Sequence, residues 1–138
     1  MTRIEYYEDE HHNKFLVISY NNRVDYCKVT SDGSQIEPMI RTTRTDFQIF
    51  SANQNWIELS NAQKQEQMKG LVKLYKVKGQ TYRICAISSG DNLQWAIMIE
   101  DIPRDWSKTS KQSFEALWGN KLEDDNNTAF TMFGGLMR

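Results

Sequence analysis

Apolar residues of strand-forming type gather most clearly near the start of the chain, between polar stretches. In KFLVISY (14–20) and RVDYCKV (23–29) β-branched and aromatic residues dominate. Asn21-Asn22 between them tolerates the positive φ of a two-residue turn, so the pattern predicts a β-hairpin over 14–29. A further strand is predicted at 3–7, set off by the polar stretch 8–13, and SDGS (31–34) reads as a turn. Residues 35–50 are ambiguous. Pro38 confines their first half to a sheet edge, and 45–50 is the better strand.

The period then changes. Ser60-Asn61-Ala62-Gln63 matches a capping box, and Met68, Leu71, Val72 and Tyr75 recur at helical spacing. Lys76 and Lys78 meet the negative end of a helix dipole, and Gly79 suits the position just past a helix end. A helix is therefore predicted at about 60–77, although Gly70 inside it costs up to about 1 kcal/mol relative to alanine. A strand over 71–77 is the rival, with poorer alternation, because Leu71, Val72, Leu74 and Tyr75 would fall on both faces. Residues 80–88 and 93–100, joined by Ser89-Gly90-Asp91-Asn92, predict a second hairpin (80–100) of central, well-buried strands that Pro103 stops. A helix at 109–118 follows, with Thr109 and Gln112 as its capping pair and Phe114, Leu117 and Trp118 as its apolar face. No internal repeat and no interdomain linker is legible. The expectation is one α+β domain over residues 1–120. Its mainly antiparallel sheet, built on hairpins 14–29 and 80–100, is covered by one or two helices (about 60–77 and 109–118).

Composition narrows the class. With 39 % apolar residues and 17 basic against 18 acidic side chains in 138, the chain is neither disordered nor able to coat nucleic acid with its whole surface. No apolar run approaches the 18 or so residues of a membrane span, and the first residues lack the apolar core of an export signal. A cytoplasmic protein without a membrane partner is expected. Cys27 and Cys85 each sit in an apolar, strand-like run and read as small buried hydrophobes.

Candidate chemistry is sparse. His11 and His12 follow Glu8-Asp9-Glu10, but adjacent strand side chains point to opposite faces and no second cluster completes a zinc set. They read as a solvated loop, and no metal or other cofactor is expected. The nucleophile elbow and the phosphate-binding loop pattern are missing, and neither cysteine lies near a histidine in sequence. The reading leans away from an enzyme.

Two features point to partners. Lys64, Lys69, Lys73, Lys76, Lys78 and Arg83 face one acid, Glu66, between residues 60 and 83, and on a helix Lys69, Lys73 and Lys76 share a side. Arg41 and Arg44 add a basic spot near Phe47, Phe50 and Trp56, and basic residues among aromatics suit single-stranded nucleic acid. The end of the chain reads as an acidic spacer (KLEDDNN) followed by an apolar tail (TAFTMFGGLMR), together residues 121–138. Phe130, Met132, Phe133, Leu136 and Met137 would suit a groove on a partner protein or assembly. The function expected is that of a small, non-catalytic interaction protein binding through this tail. A nucleic-acid-binding accessory role through Lys69, Lys73, Lys76, Arg41 and Arg44 is the alternative.

Overall fold

The computed structural model describes residues 2–29, 36–59 and 71–132, with the side chains of Asn127 and Phe130 outside that description. Strands β1 (Arg3–Glu8), β2 (Lys14–Tyr20), β3 (Arg23–Val29), β4 (Ile40–Thr43) and β5 (Ile57–Glu58) form one antiparallel sheet in the order β4-β3-β2-β1-β5. Helix α1 (Arg44–Asn53) lies between β4 and β5 in the chain. A second antiparallel sheet uses β6 (Val72–Val77), β7 (Arg83–Ser89), β8 (Asn92–Ile99), β9 (Ile102–Pro103), β10 (Ser107–Ser110) and β11 (Leu122–Asp124). Its order is β10-β8-β7-β6-β11, with short β9 paired to β8. Helix α2 (Lys111–Trp118) precedes β11, and α3 (Asn126–Met132) follows it.

Strand alternation explains the layering. Ile4, Tyr6, Leu16, Ile18, Cys27 and Val29 from the first sheet meet Val72, Leu74, Cys85, Ile87 and Met98 from the second in one buried cluster. The opposite face of the first sheet packs Val17 and Val24 against Phe47 of α1. The opposite face of the second packs Val77, Ile84 and Ala86 against Phe114 of α2. Each sheet is therefore covered on both sides, giving four layers: helix, sheet, sheet, helix.

Both hairpins, the first strand and the helix near 111–118 form as the sequence predicts, within an α+β fold. Other expectations are corrected. There are two sheets, since a strand pattern does not say which sheet a hairpin joins. The predicted helix at 60–77 is strand β6 from Val72 onward, while 60–70 lie outside the described residues. A strand covered on both faces is apolar on both faces, so its weak alternation was no argument for a helix. Residues 45–50 form α1 rather than a strand, because the Thr43 hydroxyl accepts from Asp46 N at 3.1 Å and caps a helix there. The cap of α2 is Ser110, accepting from Ser113 N at 3.0 Å, while the Thr109 hydroxyl accepts from Trp95 Nε1.

The two sheets also follow one course. Each is a three-stranded meander, then an edge strand beside the third, a helix, and a closing strand beside the first. No repeat shows in the residues; the repeat is in the path of the chain.

Candidate interaction surface

The outer face of the first sheet carries a dense aromatic group. Phe47, buried beneath α1, packs edge-on to Tyr7 with ring centroids 5.7 Å apart and lies 5.5 Å from Tyr26. Trp56, just past α1, stacks on Phe15 at 3.7 Å and meets Phe50 edge-on at 5.4 Å. Phe50 also stacks on Tyr26, and Ile40 lies beside Tyr26 in register on edge strand β4. This group is not fully covered: Ile40 is 51 % and Phe50 41 % exposed, and Ile49, on the outward side of α1, is 58 % exposed.

The second sheet provides a comparison inside the same molecule. There Trp95 takes the place of Tyr26, with Ser107 beside it in register where the first sheet has Ile40. Phe114 takes the place of Phe47, and two residues on Ala116 stands where α1 has Ile49. Leu117 matches Phe50 and is likewise exposed. The fold thus needs neither isoleucine. Their exposure on the first half is extra apolar surface.

A second constellation lies between the sheets. Asp25 has no solvent exposure, yet it takes four hydrogen bonds. Oδ1 accepts from the Tyr20 hydroxyl and Arg41 Nε, both at 2.8 Å. Oδ2 accepts from Arg41 Nη2 at 3.0 Å and Trp106 Nε1 at 2.8 Å. Arg41 Nη2 also donates to the carbonyls of Pro103 and Arg104, tying β4 to the approach to β10. Its hydrogen bonds to Asp25 push the Arg41 guanidinium pKa up, so it stays charged. Burial, then the Asp25 carboxylate, pushes the Tyr20 hydroxyl up, so it remains a donor. A carboxylate so fully committed holds the sheets together.

The structure separates the residues expected to form sites. Met132 is 3 % exposed and part of the core between the sheets, not a docking side chain. The described part of the expected spacer is body: Leu122–Asp124 pair with β6, and Asp125 accepts from Arg83 Nε at 2.6 Å and from Thr128 N at 3.2 Å. The Phe130 side chain and residues Phe133, Leu136 and Met137 lie outside the described residues. Lys69 does as well. Lys73 and Lys76, three apart on β6, point to opposite faces, so no helical basic face joins them, and Lys76 sits opposite Glu123. Arg41 is committed to Asp25, and Arg44 Nε donates to the Asn21 carbonyl at 3.1 Å.

Elsewhere, His12 Nδ1 lies 2.8 Å from Glu8 Oε1 in an exposed loop, and His11 is exposed. Among the described residues no three His, Cys, Asp or Glu side chains converge to hold a metal ion. Both thiols are buried, and burial pushes Cys27 and Cys85 each up to about 12. No helix among the described residues is long and apolar enough to cross a membrane. Sequence reasoning missed Asp25 and Trp106. The available signal was an acid at the same strand parity as Cys27 and Val29, two inward-facing residues. Comparison with protein-family models, curated proteins and solved structures finds no match to this chain.

Proposed function

We propose that the chain is a small, non-catalytic interaction module, acting in the cytoplasm, that binds a partner protein through the outer face of its first sheet. The supporting observation is the exposed Ile40 beside Tyr26, with Phe50 stacked on the same ring and Trp56 against both, where the second half has Ser107 in the place of Ile40; Ile49, also exposed, lies on the outward side of α1, with Ala116 as its counterpart. Aromatic and aliphatic side chains grouped around a partly buried tryptophan are the usual anchors of protein interfaces. Charge at the rim is balanced, with exposed Arg44 and Asp46 on the first turn of α1. A protein surface suits this better than a phosphate backbone, which draws on free Lys and Arg, and Arg41 is already paired.

The test borrows residues from the second half. Ile40→Ser and Ile49→Ala together keep the fold, as their counterparts do, and abolish partner capture from the native host. Retention of the partner by this double variant, or steep salt-dependent binding of single-stranded DNA or RNA by it, would overturn the proposal.

A further inference from the structure

We infer that the chain is two copies of one folding unit fused head to tail, and that the unit's inner face is a docking surface for a like unit. Shared strand order is the first observation, and six finer coincidences follow it. Asp25 faces Ile18 on one side and Arg41 on the other, as Gln94 faces Ile87 and Lys108. The tight turn after the second strand carries a positive φ in both halves, at Asn21 and at Gly90. The next residue's carbonyl then accepts from the first helical N–H: Asn22 from Arg44 at 2.8 Å, Asp91 from Lys111 at 2.9 Å.

The helices agree equally. A hydroxyl caps each, Thr43 and Ser110, and the fourth residue after the cap is its buried phenylalanine. Each phenylalanine meets the same two aromatic places, Tyr7 and Tyr26 for Phe47, Tyr75 and Trp95 for Phe114. Finally the chain leaves each closing strand with the same bond, Leu59 N to the Tyr6 carbonyl at 2.8 Å and Asp125 N to the Leu74 carbonyl at 2.9 Å. Packing alone does not demand such agreement in turn, cap, anchor and exit.

The contact between the halves is reciprocal, as a two-fold interface is. From the first half, Asp25 takes Trp106 Nε1, just ahead of the second half's edge strand β10. From the second, Gln94 at the matching place accepts from Met39 N at 2.8 Å and donates to the Glu37 carbonyl at 3.1 Å, just ahead of the first half's fourth strand. The apolar residues between these polar ties come from both inner faces. One unit reaches into the other, and the other reaches back at the same point of its own path.

The test uses the full-length protein with a protease site inserted between residues 64 and 65. After cleavage the two pieces stay together through size exclusion, and after separation in urea they recombine to the amide spectrum of the intact protein. Nicked protein also takes up an isotope-labelled piece from a second preparation, read by mass spectrometry. Asp25→Asn in one piece, or Gln94→Ala in the other, weakens recombination about tenfold or more, each through loss of one side of the exchange. A permuted chain that starts at Leu71, with the original ends joined by a flexible linker, gives the same spectrum away from the new junctions. Pieces that stay apart under native conditions, or a permuted chain without that spectrum, would overturn the inference.

Discussion

Trp106 and Asp25, 81 residues apart, meet between the two sheets, where the indole N–H donates to a carboxylate oxygen at 2.8 Å. Trp106 belongs to the approach to β10, Asp25 to the middle of β3, so this bond crosses from one half of the molecule to the other. Asp25→Asn leaves the Arg41 guanidinium with only the exposed Asp105 carboxylate, 3.9 Å away, as counter-charge, and is expected to cost about 3 kcal/mol of unfolding free energy. Trp106→Phe keeps most of the packing and costs about 1.5–3 kcal/mol, the value of one hydrogen bond to a charged group. Urea denaturation at pH 7 measures both, and equal small losses would show that the bond across the halves matters little.

Arg83 and Asp125 predict a distinct pH dependence. Burial alone would raise the Asp125 pKa, but hydrogen bonds from Arg83 and Thr128 outweigh it and hold the carboxyl below the usual range. A depressed folded-state pKa contributes stability that is fully present above the unfolded value, about 3.9. That stability is lost as pH falls through the lower folded value. Asp125→Asn therefore lowers the thermal midpoint at pH 7, and the gap to the wild type closes as pH drops below about 4. A gap that stays constant into acid would contradict the assignment.

Both thiols are expected to be inert in the folded protein. Burial pushes Cys27 and Cys85 each up to about 12, so almost no thiolate exists at pH 8. Iodoacetamide at that pH should alkylate neither cysteine until urea unfolds the chain. Mass spectrometry reads the outcome residue by residue, and modification of native Cys27 would show that β3 opens readily.

Much of this fold is legible where β-branched and aromatic runs flank a turn whose residues carry their own chemistry. Asn21-Asn22 announced the first hairpin, and the polar stretch after β1 was read correctly. At β6 two signals mislead together: apolar residues on both faces of the strand, and a capping-box pattern at Ser60 that offers a helix start. Leu71 to Tyr75 put apolar residues on both faces, and single-face logic turned that into a helix. The reading also went wrong at Thr43, whose capping hydroxyl was hidden inside an ambiguous stretch. The repeat escaped notice because the two halves share a path but few residues: Tyr7 and Tyr75 or Phe47 and Phe114 agree, while Ile40 and Ser107 do not. Of the expected contact residues, Met132 proved to be core and Arg41 an internal tie. The exposed Ile40 and Ile49 carried no sequence signal, since isoleucine on a strand or helix reads as buried until its neighbours are known.

The most direct test of the central claim is hydrogen–deuterium exchange of the intact protein with and without its captured partner. New protection is expected at Tyr26, across Ile40–Thr43 and along the second half of α1, with β10 and α2 unchanged. Protection confined to β6, to β11 or to the stretch from Ser107 to Trp118 would contradict that claim.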